Sequence, residues 1–219
     1  MMNMNVKIIR KLIGAILVLS AAVISTPESH AQHMEFKEIS NILSKAEFAR
    51  GEFSLTKVNG KTGRNMKSSG NYTLSKADGI IWFTKKPVDS IMAVSKTAMV
   101  QEVRGKRTRI DASENKTFRQ IADMTAAVFC GDYDEISKSF NIEYTADDKN
   151  WKALLLPKDR TIAAVIEKIV LAGSYENSKM QAALHIFEIT QADGSKSNYE
   201  LKNQLASDKL TADEKTFFE

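Results

Sequence analysis

Side-chain chemistry needs nucleophiles, bases or metal ligands at workable spacings, and this chain offers few. Beyond residue 31 it has two histidines, His33 and His185, and neither stands at a ligand spacing. No H-E-x-x-H, C-x-x-C or G-x-S-x-G pattern occurs, nor a glycine loop able to cradle phosphate. His185 falls within a strand-like run, where an imidazole more often satisfies a local hydrogen bond than acts as a base. Cys130 is the one cysteine, so no disulfide can close within the chain. Set among Ala126, Val128 and Phe129, its thiol reads as a small buried hydrophobe. Asp147-Asp148 suits a turn and lacks the further oxygen ligands that a calcium loop requires. The expectation is a protein that is not an enzyme, with no metal and no cofactor.

What the sequence has in surplus is apolar surface. Ile80 to Phe83, Leu154 to Leu156 and Ala182 to Phe187 are apolar on both faces of what read as strands. Such strands need cover on each side, from a second layer or from a bound molecule. Ordinary core and a cavity lining are both open at this point. Methionine suits either, because its flexible thioether fills irregular gaps and adapts to varied ligands. The net charge is +4, with lysines and acids interspersed, which argues against nucleic acid as a partner.

The first 31 residues read as an export signal. Lys7, Arg10 and Lys11 precede the uncharged run Leu12 to Ser25, and Ser29-His30-Ala31 is a small-x-small site with cleavage expected before Gln32. Fourteen residues is short for a membrane span, and no cysteine follows the site to carry a lipid. The expected mature protein is exported, with 188 residues (219 less 31) and a net charge of about +2 once three basic residues and Glu28 are gone. No repeat or linker divides it, so residues 32–219 are expected to form one domain.

The elements that would position this surface follow from periodicity. Phe36, Ile39, Leu43 and Ala46 predict a helix within Met34 to Ala46. Phe48 to Val58 switches to period two, and Asn59-Gly60 begins a long polar loop expected to reach Ser69. From Gly70 to Val103 the chain reads as successive antiparallel strands, with Tyr72 and Leu74 alternating against polar residues and Ala77-Asp78-Gly79 turning. Gly105 to Ile110 reads as a basic edge strand. Phe118, Ile121, Ala122, Ala126 and Phe129 mark a second helix over Lys116 to Phe129, and a shorter one is expected around Ile136. Strands return over Phe140 to Tyr144 and Trp151 to Leu156, a helical turn is expected over Ile162 to Glu167, and further strands carry Ile169 to Tyr175, Met180 to Thr190 and Tyr199 to Leu201. A short capped helix within Thr211 to Phe218 would dock Phe217 and Phe218. The sum is α+β, mainly β, with about 9–11 strands in one antiparallel sheet, and a sheet of that size must curl or close. A helix across its concave side would enclose an apolar interior.

The order of these features resembles the periplasmic outer-membrane lipoprotein carriers, the LolA-like family, over nearly the whole mature chain. The export signal and leading helix precede Phe53-Ser54-Leu55-Thr56-Lys57, then Gly70-Asn71-Tyr72-Thr73-Leu74, Ile81-Trp82-Phe83 and Pro87. Trp151 to Pro157 looks like the family's strand ending in Leu-x-Pro. Ile186 to Gly194 followed by Tyr199-Glu200-Leu201-Lys202-Asn203 looks like its late hairpin. The resemblance implies an unclosed antiparallel β-barrel covered by helices around a hydrophobic cavity. It also implies a monomeric periplasmic chaperone that takes a lipoprotein from an inner-membrane transporter to an outer-membrane acceptor. A carrier of another acylated lipid or product, and a lipid-sensing regulatory module, are the alternatives.

Alternation on the Gly70 to Val103 stretch and its neighbour puts Phe53, Leu55, Tyr72, Leu74, Trp82, Met92 and Met99 forward as the lipid-binding lining. The helix over Lys116 to Phe129, through Phe118, Ile121 and Phe129, is the expected lid. Lys76-Ala77 stands where the family has a basic-proline pair whose arginine helps control opening, so Lys76 is the expected gating residue. Ser95-Lys96-Thr97 replaces the family's Asp-Gly turn.

Overall fold

The computed structural model describes residues 33–218 apart from 112, 114–118, 120–122 and 124–125. The expected export signal and the expected lid residues Phe118 and Ile121 lie outside the described residues. Eleven strands make one sheet: β1 (Phe48–Val58), β2 (Asn65–Ser75), β3 (Gly79–Lys86), β4 (Ser90–Val94), β5 (Ala98–Val103), β6 (Lys106–Asp111), β7 (Phe140–Ala146), β8 (Asn150–Pro157), β9 (Ile166–Glu176), β10 (Gln181–Gln191) and β11 (Lys196–Ser207). Their order is β6-β5-β4-β3-β2-β1-β11-β10-β9-β8-β7, and every neighbouring pair is antiparallel. Two meanders are thus joined through β1 and β11, and the barrel stays open between β6 and β7.

Register divides the side chains cleanly between two faces. Leu74, Ile80, Val94 and Met99 are successive cross-strand partners, as are Tyr72, Trp82 and Met92. These rows belong to the concave face. Thr73, Ile81, Ala93 and Val100 form the neighbouring row on the convex face. The run Ile80 to Phe83 therefore does have cover on both sides. Ile80 and Trp82 enter the main core, while Ile81, Ala93 and Val100 pack with Phe217, and Phe83 and Phe218 flank them.

That convex cover is a short helix, α5 (Ala212–Lys215) in chain order, whose capping box links Thr211 and Glu214. It is fastened by Glu214, which is 7% exposed. Arg50 grips its carboxylate with Nη2 to Oε2 at 2.5 Å and Nε to Oε1 at 3.2 Å. The Thr73 hydroxyl and the Thr211 N–H each donate to it at 2.7 Å. Burial alone would raise this carboxyl, but those hydrogen bonds and the Arg50 charge hold it down at about 2.

Among the described residues four other α-helices join α5, with a 3-10 turn at Asn177–Lys179. α1 (Phe36–Leu43) is shorter than the 34–46 periodicity suggests, and starts at a capping box between Glu35 and Glu38. The helix α2 contains residues 126–130, and residues 119 and 123 are helical as well. It ends at Gly131, whose φ of +64° is left-handed, with the Asp132 N–H bonding the Ala127 carbonyl. A side chain at Gly131 would meet the Ser40 carbonyl at 2.8 Å, so α2's end can sit directly on α1. α3 (Tyr133–Ser139) is capped by Asp132. α4 (Arg160–Ala163) is capped by Asp159, and it corrects the expected 162–167 turn, because Ile166 already starts β9.

One loop expectation is overturned. The segment to Ser69 is not a long loop: β2 begins at Asn65, opposite Val58. Its first residues project beyond β3, whose Lys86 pairs with Ser69, so both faces meet solvent and polar residues suffice. The Ser95 turn also has its own logic. The Ser95 hydroxyl accepts from the Thr97 and Ala98 N–H groups, doing locally what an Asp-Gly pair would do by backbone freedom.

Candidate functional site

The residues with chemical potential are spent on structure. His185 is exposed and its Nε2 lies 2.9 Å from the Ser174 hydroxyl. His33 Nδ1 lies 3.2 Å from the Tyr175 hydroxyl. Asp147 accepts the Lys149 and Asn150 N–H groups, which builds the β7–β8 turn and lowers its carboxyl below the usual range. Burial pushes the Cys130 thiol up, with Lys96 and Lys76 only partly opposing, so it stays protonated and donates to the Lys76 carbonyl at 3.6 Å. Among the described residues no three metal-ligating side chains come together.

The concave interior is where the sheet converges. Trp82 stands at its centre, with ring centroids 5.0 Å from Phe53, 5.6 Å from Tyr72 and 4.7 Å from Tyr199. The connection from β6 to β7 must pass from one open edge of the sheet to the other. Phe129 shows where it passes: its ring meets Trp82 at 5.7 Å and Phe187 at 4.5 Å, edge to face in both cases. α2 therefore lies over the hollow, and among its described residues Ala127, Val128 and Phe129 enter the interior.

All seven residues chosen from alternation face this side. Phe53, Tyr72 and Trp82 belong to the buried cluster, and Leu55, Leu74 and Met92 pack against it. Met99 shares the face through its pairing with Val94 and is half-buried toward the β6 edge. The sequence reading missed the other half of the hollow, namely Leu184, Phe187, Tyr199 and Leu201 from β10 and β11. The apolar run Ala182 to Phe187 marked this strand, but a bulge between Leu184 and Ile186 breaks the alternation that would pick out Leu184 and Phe187. The pairing of Leu55 with Tyr199 and Phe53 with Leu201, which brings that half alongside, left no local signal.

Side chains fill most of the interior. A cavity of about 210 Å³ remains under α1 and α2, lined by Leu43, Tyr72, Leu74, Phe129, Leu184 and Leu201 among others. That is below the roughly 300–1,000 Å³ of formed ligand pockets. Among the described residues no buried side chain on the concave face is charged. Its phenols are neutral as well: burial pushes Tyr199 up to about 12, and raises Tyr72 still further against a hydrogen bond from Gln204. The one buried carboxylate among the described residues, Glu214, lies on the convex face. An uncharged hollow of this kind can sequester apolar matter.

Lys76 sits at the rim of the hollow, after β2. Its ammonium donates to the Ser44 carbonyl at 2.9 Å, and Ser44 is the C-cap of α1. Glu47 stands 4.0 Å away. Asp78 instead accepts from the Ser75 hydroxyl. Through its ammonium and its carbonyl, Lys76 thus touches α1 and α2 at once.

No family model matches the sequence, and no curated protein does. Among solved structures the chain is similar to a LolA superfamily protein from Nitrosomonas europaea, at 10% identity and a TM-score of 0.44, over 84% of this chain and 96% of that one. It is also similar to a DUF1329 family protein from Desulfovibrio piger, at 10% identity and a TM-score of 0.46, over 84% and 95%. A third is the lipoprotein LppX of Mycobacterium tuberculosis, at 7% identity and a TM-score of 0.41, over 80% and 95%.

Proposed function

We propose that this protein is a periplasmic carrier that shields acyl chains between its concave sheet and helix α2. The observation that carries the reading is the uncharged hollow, covered by α1 and by Phe129 of α2. Each buried methylene contributes about 0.8 kcal/mol, so a chain of about sixteen carbons gains on the order of 10 kcal/mol before ordering costs. That is enough to keep a lipid anchor out of water. The filled interior is then the unloaded state. Loading requires Phe129 to leave Trp82 and Phe187, and release follows when the ring returns and competes with the chain for the same neighbours.

The resemblance of the sequence motifs, in their order along the chain, to the lipoprotein carriers supports the finer reading. In it the cargo is a lipoprotein, the donor an inner-membrane transporter and the acceptor an outer-membrane protein, with Lys76 controlling how readily α2 lifts. Protein purified without detergent from its own compartment, extracted with organic solvent and analysed by mass spectrometry tests the cargo. Triacylated peptide supports the lipoprotein reading, and phospholipid or another acyl lipid selects the broader carrier. An extract without lipid, from protein that still takes up added lipid, would favour the lipid-sensing module, and protein that also refuses added lipid would contradict all three.

A further inference from the structure

Strand direction puts the β1–β2, β3–β4 and β5–β6 turns side by side at one end of the sheet, which the β10–β11 turn and the β8–β9 connection continue beyond β1. The turn that carries Lys76 is at the other end. These three turns and their strand ends hold Lys61, Arg64, Lys85, Lys86, Arg104 and Lys106, all exposed, against Asp89 and Glu102, and the adjoining β10–β11 turn adds Asp193 near Lys61. Among the described residues none of the six makes an ion pair, whereas nearby Arg107 is taken up by Glu102 at 3.1 Å. Alternate turns of a meander stand about 10 Å apart, so the charges form a row instead of a point. The row is not purely polar. Val88, at the tip beside Lys86, is 43% exposed, and Met66, on the projecting β1–β2 arm, is 63% exposed.

A row of unpaired cations with aliphatic side chains between them matches one kind of partner well. We infer that this end of the sheet docks on the surface of an anionic bilayer. The lysines and arginines meet the headgroups, each adding to the attraction within a Debye length, and Val88 reaches the acyl boundary. A nucleic acid would leave Val88 and Met66 in water, and these turns offer no aromatic ring on which a base could stack. The inference does not rest on the carrier reading, because the hollow lies under α1 and α2 and none of these residues lines it.

Co-sedimentation with phosphatidylcholine vesicles, with and without phosphatidylglycerol, tests the proposal at low ionic strength. The protein should bind the anionic vesicles and leave the neutral ones. The double variant Lys85→Glu with Lys86→Glu should bind roughly 20-fold more weakly, and Arg104→Glu with Lys106→Glu should do the same from the neighbouring turn. All four positions are exposed, so the thermal midpoints of the variants should match the parent's. Every variant carries the same remaining sequence, so the difference between them reports this end of the sheet alone. Val88→Ser should weaken binding about threefold or more. Equal binding to neutral vesicles, or charge reversals without effect, would overturn the proposal. An unchanged affinity in Val88→Ser would also overturn it, in favour of a soluble polyanion.

Discussion

The Phe129 ring meets the Trp82 ring edge to face with centroids 5.7 Å apart, so α2 covers the hollow with its own side chain. The contact stabilises the empty protein and opposes cargo at the same time. Phe129→Ala should lower the free energy of unfolding by about 3 kcal/mol or more, the usual cost of deleting a buried aromatic ring. It should also speed and tighten uptake of a fluorescent acyl probe, because the space is vacated. Denaturant titration and stopped-flow fluorescence read the two effects. A destabilised variant with unaltered uptake would place the acyl site elsewhere.

Leu74 lines the residual cavity and Met92 packs on the same cluster, and both are only half-buried. A carboxylate at either position can therefore reach water in the empty protein, but a seated acyl chain would cut it off. Stranding a charge in an apolar site costs several kcal/mol. Leu74→Glu and Met92→Glu should keep a cooperative thermal transition and lose probe binding by at least 100-fold. Full affinity in a folded variant would remove these residues from the lining.

The legibility of this fold followed burial. Strands with one face in the core, such as the one holding Phe53 and Leu55, announced themselves by alternation, and the two-sided run Ile80 to Phe83 by its unbroken apolarity. The start of β2 did not, because Asn65 to Ser68 pair only through backbone and have no face to bury. Ile166 looked helical because Ile162 precedes it by one turn, although the Asp159 cap, which accepts from the Thr161 and Ile162 N–H groups, dates the helix earlier. Half of the hollow was hidden for a different reason. Which strand lies beside β1 is a long-range choice, and no local pattern in β1 says that Tyr199 will lie opposite Leu55.

Lys76 donates to the C-cap carbonyl of α1 at 2.9 Å while part-exposed, an arrangement worth about 1 kcal/mol or less. Lys76→Leu should therefore barely move the thermal midpoint. If the lysine steadies the rim, amides of residues 42–45 and 126–130 should exchange faster in the variant, and cargo should pass more readily to an acceptor. Exchange and transfer both at parental rates would reduce Lys76 to an ordinary turn residue.

Glu214 gives the fold a defined acid sensitivity. Its carboxyl sits at about 2 in the folded protein and near 4.5 when unfolded, so the unfolded chain binds a proton more readily. The associated stability, about 3 kcal/mol, is complete above pH 4.5 and drains away as the pH falls toward 2. Glu214→Gln should lose most of it at pH 7 and show a flatter stability profile between pH 4.5 and 2, as measured by urea titration. A variant whose profile parallels the parent's would mean that other carboxylates dominate.

The carrier account stands or falls on whether the hollow measures hydrocarbon. Isothermal titration with saturated fatty acids of increasing length tests this most directly, each assayed below its critical micelle concentration. The account predicts one saturable site, with affinity rising about fourfold per added methylene until the hollow is full and with Leu74→Glu abolishing the heat. Affinity that ignores chain length, or no saturable binding at any length, would contradict it.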